Sequence, residues 1–133
     1  MEVSQIHDYS GMITTTPSHI DTHENIFVVT LPHDNKICEG SFHGDLRVLK
    51  CIGGSMGFEN GGVDEARFNR PSYVTFSGDG SYLLVSDEEN NCIRKIMRPP
   101  GSNQNILEDE LSQVETIAGV CGPLSTPHIH KFE

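Results

Sequence analysis

Asp87 and Arg94 are the acid and the base best placed to do chemistry in this chain, at the two sides of the stretch DEENNCIRKI that spans 87–96. A carboxylate and a guanidinium so close in sequence, with Asn90, Asn91 and Cys92 between them, can bind a polar ligand. They can also pair with each other in a charge-assisted hydrogen bond that fixes strand register. Four cysteines, Cys38, Cys51, Cys92 and Cys121, carry a second kind of chemistry. None stand in CxxC or CxC spacing, which argues against a zinc knuckle. Of the seven histidines, His128 and His130 in HIH have the period-two spacing that puts both imidazoles on one side of an extended strand. Without a carboxylate or third ligand nearby they are a weak metal signal, so neither a metal nor a cofactor is expected. The sequence contains no nucleophile elbow, Walker loop or HExxH, and no residue is assigned a catalytic role. The Gly-rich run GGSMGFENGG at 53–62 leads into an expected strand rather than a helix, so it offers a phosphate no helix N-terminus and reads as a connection.

Composition bounds the elements that must hold these residues. A chain of 133 residues can form one ordinary domain with its own core. An apolar fraction of 35% with 13 glycines and 7 prolines favours many turns and short strands, hence an all-β fold. The formal net charge of -10 repels a phosphate backbone, so nucleic acid is a disfavoured partner. No run approaches the roughly 20 apolar residues that cross a bilayer. The start MEVSQIHDYSGMITTTPSH has neither a basic n-region nor an apolar h-region, so a soluble chain without a secretory address is expected.

An internal repeat organises the sequence. PSHI at 17–20, NIFVVT at 25–30, HDNKI at 33–37 and LKCIGG at 49–54 return in order as PSYV at 71–74, SYLLVS at 81–86, ENNCI at 89–93 and VETIAG at 114–119. The spacing from Val28 to Ile37 is nine positions, as it is from Leu84 to Ile93. Each copy reads as four short strands. In the second they are YVTF at 73–76, YLLVS at 82–86, CIRKIM at 92–97 and QVETIAG at 113–119. Asp79-Gly80 between the first two is a two-residue hairpin signal, because both central positions of such a turn need positive φ. Alternation in CIRKIM sets Arg94 and Ile96 on one face and Ile93 and Lys95 on the other. The polar stretch 98–113, with Pro99-Pro100-Gly101 and a run of acids, reads as an exposed insertion. If HGDL at 43–46 closes a hairpin in the first copy, Phe42 faces Arg47 and Cys38 faces Cys51, with β-carbons about 4.5 to 5.5 Å apart and near disulfide range. Cys92 and Cys121 fall at the matching end of the second copy. Two cross-strand disulfides and four reduced, partly buried thiols both fit; the first implies an oxidising, extracellular context.

Four antiparallel strands in roughly 45 residues is the size of one blade of a β-propeller. ARFNRPSYVTFSGDGSYLLVSDEENNCIRKI, with the closing VETIAG, resembles the NHL repeat family. The likeness is carried by Phe68, Pro71, Val74, Gly80, Val85, Asp87, Asn90, Ile93, Arg94, Ile96 and Gly119, and runs from Gly53 to Gly122. In the first copy Leu31 stands in the place of Asp87 and Cys38 in that of Arg94, and Tyr73 departs from the glycine usual there. The resemblance implies two four-stranded antiparallel blades of an incomplete ring. A degenerate blade covers 12–54, a Gly-rich connection 55–67 and a clear blade 68–122, with tails at 1–11 and 123–133. It assigns Asp87, Asn90, Arg94, Gly80, Pro71 and Phe68 structural roles.

Two blades cannot close a ring, so a fragment of a larger propeller, or self-association through open strand edges, is expected. The implied function is a non-catalytic protein-interaction module, with loops such as 98–113 forming the contact surface. Some propellers similar to this family are lyases or hydrolases with a metal in the central funnel, held by ligands from several blades. No such set is visible here. RNA binding, known for some members, is disfavoured by the acidic balance.

Overall fold

The computed structural model describes residues 11–42, 46–102 and 105–122. The HIH motif at 128–130, the first-copy turn at 43–45 and nearly all of both tails lie outside these. Among the described residues there are nine strands in two antiparallel sheets and no long helix. Sheet I holds β1 (His19–His23), β2 (Ile26–Leu31), β3 (Lys36–Phe42) and β4 (Leu46–Gly53), paired in chain order. Sheet II follows the order β5-β9-β8-β7-β6, from β5 (Gly61–Gly62), β6 (Pro71–Phe76), β7 (Tyr82–Asp87), β8 (Cys92–Met97) and β9 (Gln113–Gly119). The second sheet therefore has five strands rather than four. Two glycines of the connection, Gly61 and Gly62, pair with Val114 and Gln113 at its outer edge, a strand too short to give any periodic signal.

The same turn joins the middle strands of both sheets. Pro32–Asp34 and Glu88–Asn90 each form one 3₁₀ turn, ended by Asn35 at φ 54 and Asn91 at φ 58. Asparagine, with aspartate, tolerates this left-handed conformation better than other residues that carry a β-carbon. Its N–H then returns to the carbonyl of Pro32 or Glu88.

Alternation puts successive residues of β2 on opposite faces. Val28 enters the core between the sheets with Ile37, Ile52, Val74, Leu83, Val85, Ile96 and Val114. Phe27, Val29 and Leu31 join Cys38 and Val48 in a second cluster on the far face of sheet I, against which Met12 and Ile13 pack. Burial on both faces explains the unbroken apolar run IFVV, and Thr30 after it is buried with its hydroxyl on the Ser72 carbonyl.

The sheets meet along their inner strands, β1 and β6, through side chains. Asp21 Oδ2 accepts the Phe76 N–H at 2.8 Å and the Thr75 hydroxyl at 3.1 Å. The His19 and Tyr73 rings stack with centroids 3.6 Å apart. Farther out, Val63, Ala66 and Phe68 of the connection, with Ile106 and Leu107, complete the core between the sheets. The stretch 98–113 is thus no simple exposed loop. Its apolar pair Ile106-Leu107 is fully buried, while Glu108, Glu110 and Leu111 face solvent.

Two turn readings are corrected. Asp79-Gly80 lies in a four-residue loop closed by the Ser77 N–H to the Tyr82 carbonyl at 2.9 Å, and only Gly80 has positive φ, at 77. Asp79 serves instead through its carboxylate, which accepts from Ser81 Oγ, Ser81 N and Ser77 Oγ and is held down to about 2 by those bonds. Gly80 is also a close approach, since a β-carbon there would lie 2.4 Å from the His23 ring. In the first hairpin Phe42 faces Leu46, and Ser41 faces Arg47. A bulge at Glu39/Gly40 then takes in Leu49 and brings Cys38 opposite Cys51 as expected. Gly40 allows the kink, because a β-carbon there would overlap the Arg47 carbonyl and the Phe27 ring.

Candidate functional site

Asp87 ends β7 and Arg94 lies in β8 of the same hairpin, both fully buried. Arg94 donates from one terminal nitrogen to Asp87 Oδ2 and to the Arg67 carbonyl, each at 2.8 Å. The other donates to the Glu59 carbonyl at 2.8 Å and Asn60 Oδ1 at 2.9 Å. The guanidinium carbon sits 5.0 Å from the centroid of the buried Phe68 ring. Asp87 Oδ1 accepts the Asn69 N–H at 2.8 Å, and Oδ2 also accepts from Asn90 Nδ2 at 2.7 Å. The same Asn90 nitrogen donates to the Gly57 carbonyl. Burial pushes the Asp87 carboxyl up, while the bonds from Asn90, Asn69 and Arg94 pull it back. Pro71 starts the edge strand β6 opposite Asp87, a position where its missing N–H costs no ladder bond.

Four of these residues, Phe68, Asp87, Asn90 and Arg94, form one cluster that ties β7 and β8 to the connection at 57–69. Pro71 adjoins it. Gly80 stands apart, at the far end of the β6–β7 hairpin beside His23. Both terminal nitrogens of Arg94 donate to the protein itself, and its Nε is buried without a hydrogen-bond partner.

Both cysteine pairs are disulfides, Cys38–Cys51 with Cα atoms 4.0 Å apart and Cys92–Cys121 at 5.1 Å. Cys38 and Cys51 face each other across β3 and β4. Cys92 opens β8, and Cys121 lies just past the end of β9. The second bond adjoins the ionic cluster. A carboxylate oxygen of Asp87 and the sulfurs of Cys92 and Cys121 all lie within 4.8 Å of one another, and Thr116 Oγ1 is 3.1 Å from the Cys121 sulfur.

Glu39 is the residue that sequence reasoning passed over. It lies in β3 with no exposed surface, and its two oxygens accept the N–H groups of Ile106 at 3.1 Å and Leu107 at 2.9 Å. Burial raises its pKa to about 7 despite these bonds. Beside it a cavity of about 260 Å³ opens among His23, Phe76, Asp79, Arg98 and Asn105. A raised carboxyl in a polar cleft can serve as an acid or base. Here both oxygens are engaged by backbone, and the group works as a clamp that fixes the 105–108 turn to sheet I. The sequence carried no signal for this, since the repeat matches Glu39 with Lys95, which is partly exposed.

The outward face of sheet II is the remaining feature. The residues paired as Tyr73, Ser86, Ile93 and Ala118, and as Thr75, Leu84, Lys95 and Glu115, alternate with the inward row Val74, Val85, Arg94 and Thr116. Leu84 and Ile93 are partly open there beside Ser86 and Lys95, while Tyr73 and Thr75 reach His19 and Asp21 of sheet I.

No family model matches the chain, and no match was found among curated proteins. Among the described residues no helix is long and apolar enough to cross a membrane.

Proposed function

We propose that the chain is a non-catalytic protein-interaction module, two blades of an NHL-type β-propeller that belong to a larger ring completed by further blades or by further copies. The observation that carries this reading is a mismatch between equivalent surfaces. Val28 and Ile37 of sheet I are buried against sheet II, whereas the residues that match them in the repeat, Leu84 and Ile93, lie on the outward face and stay partly exposed. The chain thus presents on sheet II, at Leu84 and Ile93, a counterpart of the surface that binds a sheet within it, and partly exposed apolar residues in that place support an interaction site. The disulfides support an extracellular setting.

Light scattering across a concentration series tests the reading. Association that grows with concentration is expected. A cooperatively melting monomer at every concentration would count against it.

A further inference from the structure

We propose that the Cys92–Cys121 pair has a second state: when the disulfide is reduced, Cys92, Cys121 and Asp87 together bind a zinc-class cation. Two sulfurs and a carboxylate oxygen already lie within 4.8 Å of one another. Donors on one tetrahedral zinc, with Zn–S near 2.3 Å and Zn–O near 2.0 to 2.2 Å, stand about 3.5 to 3.8 Å apart. Small side-chain adjustments reach that spacing once the sulfurs separate. Asp87 retains capacity for a metal bond, because a carboxylate offers about four lone-pair sites and three are used, by Asn69, Asn90 and Arg94. Those partners hold the carboxylate in place, as groups behind a metal-ligating carboxylate commonly do. Cys121 is partly open to solvent, giving the ion a way in, and the hydroxyl of Thr116 or a water can take the fourth position. The Cys38–Cys51 pair has no such third donor among the histidines, cysteines and acids of the described residues. The same two cysteines would tie β8 to the end of β9 in either redox state, by a covalent bond or through a metal. This inference stands independently of the interaction reading above.

The redox step balances with a phosphine as reductant. The phosphine gives two electrons to the sulfur–sulfur bond and leaves as the phosphine oxide, taking its oxygen from water, and the two water protons go to the sulfurs. Each thiol then releases its proton on binding the cation.

The experiment uses the whole chain, phosphine-reduced and then freed of phosphine, with zinc as the probe. One zinc per reduced chain is expected and none on the oxidised chain, and the zinc edge in X-ray absorption should show two sulfurs with lighter ligands. In the wild-type chain zinc should slow alkylation of Cys92 and Cys121, read by mass spectrometry, and leave Cys38 and Cys51 unprotected. Cys121→Ser should weaken binding by at least about tenfold. Equal protection of all four thiols, no uptake, uptake unaffected by Cys121→Ser, or a reduced chain that stays unfolded with zinc present would each overturn the proposal.

Discussion

Arg94 donates to Asp87 Oδ2 at 2.8 Å with neither side chain exposed, while the matching residues of sheet I, Leu31 and Cys38, form no ion pair and lie in an apolar cluster. One repeat fills this position with charge and the other with apolar contact. Removing one member of a buried pair strands the other, so Arg94→Leu is expected to cost about 3 to 5 kcal/mol. Asp87→Leu with Arg94→Leu should cost clearly less than the two single changes added together, because no lone charge remains. It should still fall short of wild type, since the acceptors at Glu59, Asn60 and Arg67 lose their donor. Urea denaturation of the four proteins measures the coupling; additive costs would show that the two residues do not act as a pair.

Glu39 predicts the pH dependence of stability. Its carboxyl titrates at about 7 in the folded chain against an ordinary value of 4.5, so the folded state holds a proton that the unfolded state has lost between those limits. The contribution is full below about 4.5 and lost as pH rises through about 7. Its size is on the order of 3 kcal/mol. Denaturation midpoints at pH 5 and pH 8 should therefore differ less in Glu39→Gln than in wild type. An unchanged difference would mean that Glu39 ionises normally.

Much of this fold was legible from period and turn chemistry. The buried row of Cys92, Arg94 and Ile96 and the turn at Asn90-Asn91 follow from alternation and local backbone preference, whereas Cys38 meets Cys51 because a bulge offsets a hairpin that pairs Phe42 with Leu46 instead of Arg47. What escaped depended on contacts distant in sequence. Gly61–Gly62 is a strand only because β9 lies beside it. The Glu39/Gly40 bulge answers to the Phe27 ring and the Arg47 carbonyl. Ile106 and Leu107 look like part of a polar loop until Glu39 captures their N–H groups. Glu39 itself was hidden because an isolated acid in a strand normally faces water.

The disulfides give a separate stability prediction. In the chain-entropy model, loops with sequence separations of 13 and 29 are each worth about 3 to 4 kcal/mol, the longer one more. Thiol counting on native protein under denaturing, non-reducing conditions should find no free thiol. Full reduction should lower the denaturation midpoint, with Cys92→Ser/Cys121→Ser costing slightly more than Cys38→Ala/Cys51→Ala. Four reactive thiols in freshly isolated protein would remove both the bonds and the extracellular setting they support.

Ile37 and Ile93 hold the same place in their repeats, so one substitution made at both separates folding from association. Ile37 is fully buried between the sheets, whereas Ile93 lies on the outward face of sheet II. Ile37→Glu would bury an unpaired carboxylate and should cost more than about 4 kcal/mol, enough to unfold a domain of ordinary stability. Ile93→Glu can turn its charge to water and should cost roughly 1 kcal/mol. If the outward face is a docking surface, Ile93→Glu should keep the far-ultraviolet strand signal and the cooperative melt while moving light scattering toward the monomer. Association that persists in a folded Ile93→Glu chain would place the contact elsewhere, with the open edges of β1 and β4 as the next surfaces to test.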